Sequence, residues 1–329
     1  MILQLTTTPA VTTAEVTTTV VTTMPTTPAP VASMILIAGG HGPNGRSTLA
    51  EVLTGGLNQT QLPNLPTGTT GQSMINHYGT IVHCGGDNTL QSCLELSNGS
   101  WVSHSMLNAE RYFSGAASTN SGSFIFGDDN SDSTKRSFEY MTRWNTDWQT
   151  GNTNIPNGYD RGCVIQISGD LLYLIGGRSS ANSYENRILA FNTTSHIFTT
   201  LSTTLITGRN YHSCEFIPNS NKVMISGGYN LLYTEYVDTE VLDVTTGTIS
   251  NGPALNIKRR YHGSGIITIG SEDRLVVFGG YSGSSAENSI EQFNPETNSW
   301  QMMSETLTEP KHAFGYLTIK EGDINDFLL

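Results

Sequence analysis

The residues whose types suit them to chemistry are eight histidines, four cysteines and a small set of arginines and tyrosines. The histidines (His41, His77, His83, His104, His196, His212, His262 and His312) are scattered, and no two are adjacent. A metal held by neighbouring imidazoles is therefore not encoded locally; its ligands would have to come from distant segments. Cys84, Cys93, Cys163 and Cys214 contain no Cys-x-x-Cys pair and no Cys/His cluster with zinc spacing. A Gly-x-Ser-x-Gly elbow and a phosphate-binding loop are also missing. These residues predict no catalytic centre, no metal site and no cofactor.

Recognition chemistry is better represented. Arg111, Arg161, Arg209 and Arg259 each open a β-rich run, and Arg178, Tyr229, Tyr233 and Tyr281 fall in the polar segments between runs. Guanidinium groups bind carboxylates through paired hydrogen bonds, and tyrosines on loops are frequent at interfaces. Together these eight residues would suit a protein partner, an acidic peptide or a carboxylated glycan. The competing reading is structural: each arginine opening a run would bond backbone within its own repeat.

Positioning such residues falls to a repeated unit. From residue 34 onward, a β-rich run ending in glycine recurs, with first glycines at Gly39, Gly85, Gly127, Gly176, Gly227 and Gly279. The successive spacings are 46, 42, 49, 51 and 52 residues. A second glycine follows in every copy except the third, where Asp128 stands. Glycine reaches positive φ without strain, and Asp is expected to tolerate the same conformation. Later in each copy a bulky residue recurs at fixed distance, as Phe191 to Phe198, Leu242 to Ile249 and Phe293 to Trp300, with Trp101 and Trp148 more loosely placed.

Six such units in phase resemble the kelch repeat, each a four-stranded blade of about 50 residues. The resemblance spans residues 34–329 and implies an all-β, six-bladed kelch-type β-propeller. The first unit lacks an innermost strand, and Lys311–Ile319 reads as a strand with no glycine pair after it. The C-terminal strand is therefore expected to close the ring by completing blade 1, leaving no open sheet edge. The resemblance also implies that the loops after the glycine pairs and those between blades share one face, with the four motif arginines around the channel mouth.

Some relatives of this fold are enzymes, and their signatures can be sought. Copper-radical oxidases of the galactose-oxidase type commonly use an adjacent His-His pair, and nitrile-specifier proteins an iron site spaced Glu-x-x-x-Asp-x-x-x-His; neither is present. Sialidase-like boxes are missing too. A sialic-acid mutarotase would leave only scattered Arg and Glu. The expected function is accordingly a non-catalytic module binding a protein or glycan, with a sugar-modifying enzyme as the alternative.

Residues 1–33 differ in kind. Threonine clusters and Pro9, Pro25, Pro28 and Pro30 leave little to bury, so a disordered stalk or linker is expected. Asn58, Asn98 and Asn192 head N-glycosylation sequons. With the stalk they favour an extracellular setting, although Met1–Leu5 is too short for a signal-peptide core and a cytoplasmic location stays open. Cys84 and Cys93 flank a turn near Asn88 and could bridge adjacent strands; buried thiols are the alternative. Cys163 and Cys214 hold equivalent places in neighbouring units, where side chains are expected to lie beyond disulfide reach.

Charge narrows the partners further. The chain carries 16 basic and 28 acidic residues, a net charge of −12, and only 13% of its residues are charged. An acidic surface repels phosphate backbones, so nucleic acid is not an expected partner. No apolar run approaches the roughly 18 residues of a spanning helix, so no membrane insertion is expected.

Overall fold

The computed structural model describes residues 31–56, 60–230 and 234–322. Expectations for residues 1–30, Asn58 and Tyr233 lie outside these. The described residues form six four-stranded antiparallel sheets, each a blade with its strands in order from the axis outward. Blade 2 runs through Ser73–His77, Thr80–Cys84, Cys93–Ser97 and Ser100–Ser103; blade 3 through Gly115–Thr119, Gly122–Phe126, Phe138–Thr142 and Asn145–Thr150. Blade 4 begins at Cys163–Ser168, blade 5 at Ser213–Phe216 and blade 6 at Gly263–Ile269.

Blade 1 is assembled from both ends of the propeller. Its second strand, Ser33–Ala38, pairs with Gly315–Lys320 in unbroken antiparallel register from Ser33 opposite Lys320 to Ala38 opposite Gly315. Ala50–Leu53 and Thr60–Leu62 complete the sheet. The ring is thus closed by the C-terminal strand. Ser33, assigned by sequence to the stalk, belongs to this strand and is buried.

Antiparallel connectivity divides the disc into two faces. Turns joining inner to second strands, and third to outer strands, lie at one end of every blade (the turn face). Loops after the glycine pairs and between blades lie at the other (the loop face). Among the described residues no helix is long and apolar enough to cross a membrane.

A single blade is apolar on both sides, and the core is distributed accordingly. Six buried clusters each draw on two neighbouring blades. Phe124, Phe126 and Phe138 of blade 3 pack on Leu172, Leu189 and Phe191 of blade 4. Ile35 and Ile37 of blade 1 pack on Val276 and Phe278 of blade 6. The seven-residue spacing marks residues directly opposite across the third and outer strands: Phe191 faces Phe198 and Phe293 faces Trp300. Gly127 shows why the strand must end in glycine: it has φ +69°, and a Cβ there would collide with the Tyr159 carbonyl. Asp128 does not share that conformation. It is buried instead, accepting hydrogen bonds from the amides of Tyr112 and Asn130, both at 2.7 Å. Its carboxylate ties the loop by hydrogen bonding where the other blades use a second glycine.

Candidate functional site

Three of the four motif arginines do not ring the mouth. Arg111, Arg209 and Arg259 are at most 2% exposed, and each forms an ion pair with a buried glutamate on the third strand of its own blade. The partners are Glu139 at 3.0 Å, Glu240 at 2.6 Å and Glu291 at 2.8 Å. The same guanidinium groups donate to the glycine-pair carbonyls of Gly127, Gly227 and Gly279. Each glutamate also accepts backbone amides from the preceding interblade loop, such as Ile206 and Thr207 on Glu240. In blade 1, Lys311 and Glu51 make the same pair at 2.6 Å.

Strand register shows where the pair is missing. The position of Glu139, opposite Ile125, is Leu189 opposite Leu174 in blade 4, and Leu94 opposite His83 in blade 2. The matching cation positions hold Tyr159 and Thr69, whose carbonyls meet the glycine pairs as those of Arg111, Arg209 and Arg259 do. Where the buried anion is replaced by leucine, the buried cation is replaced too. This pairing avoids leaving either charge alone in the interior.

Arg161 therefore does not belong to that set. It lies two residues further on, equivalent to Gly71, Phe113, Tyr211, Tyr261 and Ala313. All six have positive φ, between 53° and 69°. Their amides and carbonyls form a closed circuit around the axis. Gly71 N–H donates to Ala313, Phe113 to Gly71, Arg161 to Phe113, Tyr211 to Arg161, Tyr261 to Tyr211 and Ala313 to Tyr261, at 2.6 to 3.0 Å.

Side chains from this circuit converge. The Tyr211 and Tyr261 rings lie 3.8 Å apart, and Phe113 sits 5.2 Å from Tyr211 and 5.4 Å from Tyr261. They form the aromatic floor of a cup on the loop face, with a cavity of about 850 Å³. Arg161 packs over Tyr211 at 4.8 Å and pairs with Asp129. The cup wall comes from the residue after each glycine pair, bridged to the residue that follows the cation position of the same blade: Tyr281 with Arg260, Tyr229 with Asn210, Arg178 with Asp160, His41 with His312. Arg260 lies 4.4 Å over Tyr229, 5.3 Å over Tyr261 and 5.2 Å over Tyr281, and pairs with Glu235 at 3.2 Å.

The electrostatics of the cup follow from this packing. Arg178 is shared between Asp129 and Asp160. Burial raises the Asp160 carboxyl above its usual range, against the opposing pull of Arg178. Burial alone would lower Arg161, but Tyr211, Asp129 and Asp160 outweigh it and hold the guanidinium charged. His312 is pushed down to about 4 by burial, with His41 and Arg260 adding to the effect. The cup thus offers neutral imidazole, fixed guanidinium and tyrosine rings. Among the described residues no group of three or more His, Cys, Asp or Glu side chains is arranged to hold a metal ion.

Beneath the floor, a second cavity of about 430 Å³ follows the axis between the inner strands. Glu215 lines it, its carboxyl raised to about 7 by burial against the lowering pull of the Phe216 amide and Thr318. Two disulfides are formed. Cys84 and Cys93 face each other directly across adjacent strands, with Cα atoms 4.2 Å apart. Cys163 and Cys214, expected beyond reach, are bridged between the inner strands of blades 4 and 5 at a Cα separation of 6.0 Å. The strands converge enough at the axis to close this gap.

Sequence reasoning therefore places Arg161, Arg178, Tyr229 and Tyr281 on the loop face and misplaces Arg111, Arg209 and Arg259. It misses Phe113, Tyr211, Tyr261 and Arg260. The shared signal of the three aromatics was their place two residues after the cation position, and that of Arg260 its place one residue after it, both visible only once that position is aligned in all six blades.

A model of the KLHDC2/KLHL20/DRC7 Kelch-repeats domain matches residues 162–324, which cover blades 4 to 6 and the closing strand. No curated protein sequence matches the chain. On the six glycine-punctuated blades, the closing strand and this match, the chain belongs to the kelch-repeat β-propeller family.

Proposed function

We propose that this propeller is a non-catalytic interaction module that seats a projecting segment of a protein partner in the loop-face cup. The observation that carries this reading is the floor of Phe113, Tyr211 and Tyr261, held with Arg161 on one backbone circuit and flanked by Arg260 from the wall. Aromatic rings and arginines held in a preformed concavity are the residues that dominate binding energy at protein interfaces. The circuit fixes the floor before binding, so little ordering entropy is lost on association. Arg161 and Arg260 keep 17% and 21% of their side chains accessible, enough to offer a donor to an acidic group on the partner.

The reading is tested by capture from the native source on the full chain, comparing wild type, Arg260→Ala with Tyr281→Ala, and Trp144→Ala on the turn face. Binding in the cup variant should fall by roughly 30-fold or more, the equivalent of one strong contact. Trp144→Ala should bind as wild type. Full binding by the cup variant would overturn the assignment.

A further inference from the structure

Two of the sequons occupy the same structural place. Asn98 lies in the turn between Cys93–Ser97 and Ser100–Ser103 of blade 2. Asn192 ends Arg187–Asn192 and opens the turn to Ile197–Thr204 of blade 4. Both turns join a third strand to an outer strand, so both lie on the turn face, and both asparagines are exposed. The chain also enters the propeller on this face, since Ser33 pairs with Lys320 at the far end of the inner strand from Ala313. The cup lies on the opposite face.

Each asparagine can carry a glycan without loss of structure. Asn98 and Gly99 have φ of 47° and 68°, so the two-residue turn projects the Asn98 tip away from the sheet. Asn192 uses only its carbonyl oxygen locally, accepting from the amides of Thr194 at 3.1 Å and Ser195 at 2.8 Å and from the Ser195 hydroxyl. Attachment at Nδ2 leaves those bonds intact. An independent observation points to the compartment where such attachment happens. All four cysteines are bridged, one pair across two blades, and structural disulfides form in oxidising compartments.

We infer that Asn98 and Asn192 carry N-linked glycans, and that the propeller is a two-faced glycoprotein with a sugar-bearing turn face and a bare cup face. The oligosaccharide is transferred from its lipid carrier to Nδ2, forming an N-glycosidic bond as the lipid pyrophosphate leaves and the amide proton is released. A bulky glycan on the turn face blocks association there and leaves the cup as the accessible side.

The test uses the full chain isolated from its native source. It is digested with a peptide N-glycosidase, which converts a glycosylated asparagine to aspartate, and the peptides are read by mass spectrometry against an undigested control, which separates this conversion from spontaneous deamidation at Asn98-Gly99. Free thiols are alkylated beforehand. The expected result is conversion at Asn98 and Asn192 and no thiol labelling before reduction. Unconverted Asn98 and Asn192 peptides would overturn the inference, whatever the state of the thiols. In eukaryotic secretory expression, Asn98→Gln and Asn192→Gln should each remove one step of glycosidase-sensitive mobility. The double variant should keep cup-dependent capture, and its loss would contradict the separation of faces. The glycan readout stands even if the cup proves not to bind a protein.

Discussion

The amide of Gly71 donates to the carbonyl of Ala313 at 2.7 Å, joining blade 2 to the strand that ends the ring. It is one of six equivalent bonds, yet it connects residues 242 positions apart in sequence, and Ala313 is present only because the C-terminal strand completes blade 1. Closure of the disc and shape of the cup floor are therefore one feature.

Removing residues 311–329 should leave Ser33–Ala38 as an open edge and expose the cluster shared by Ile35, Ile37, Val276 and Phe278. The expected outcome is loss of the cooperative thermal transition and gain of aggregation, read by calorimetry and light scattering. Removing only residues 323–329 should leave the transition in place.

The buried pair of Arg259 and Glu291 gives a second expectation. Arg259→Ala strands the Glu291 carboxylate in the interior and should cost about 3–5 kcal/mol in denaturant unfolding. The double change Arg259→Tyr with Glu291→Leu copies the solution found in blade 4 and should recover most of that loss. A double variant no better than the single one would show that the pair acts independently.

The two disulfides should differ in weight. The Cys163–Cys214 bridge closes a separation of 51 residues and the Cys84–Cys93 bridge one of 9. On chain entropy the longer loop stabilises more, by about 1.5 kcal/mol. Paired Cys→Ser variants compared by urea midpoint check the order.

Acid should destabilise the fold through its buried histidines. His83 is lowered to about 4 and His212 to about 3, both by burial, with Arg209 adding to the effect on His212. Their ordinary value is 6.5, so between pH 6.5 and 4 the unfolded chain takes up protons that the folded chain refuses. Stability is full above that window and falls as the pH drops through it. Glu215, raised to about 7, has the opposite sign: its protonated form favours the fold, and that contribution fades as the pH rises from 4.5 to 7. His212→Gln should flatten the acid limb of a melting-temperature profile, and Glu215→Gln should flatten the neutral one.

Sequence carried the architecture because its determinants are local. A strand that must reverse beside a neighbouring carbonyl writes a glycine, as Gly127 does against Tyr159, and six of these in phase count the blades. The unpaired strand at residues 311–319 revealed closure for the same reason. The site was harder to read because its register depends on partners far away. Arg161 mimicked Arg111 and Arg209 in sequence, but blade 4 carries Leu189 in place of the buried glutamate, so its cation position is Tyr159. The Cys163–Cys214 bridge depends on the spacing of inner strands at the axis, which no local pattern encodes. Phe113, Tyr211 and Tyr261 meet only across the closed ring.

The central functional claim is that the cup face, rather than the turn face, meets the partner. A photo-crosslinking residue placed at Tyr281 on the cup wall, or at Trp144 on the turn face where 89% of the side chain is exposed, separates the two directly. The account predicts a discrete covalent adduct from position 281 and none from position 144, in the full chain under native conditions. An adduct formed from position 144 alone would contradict it.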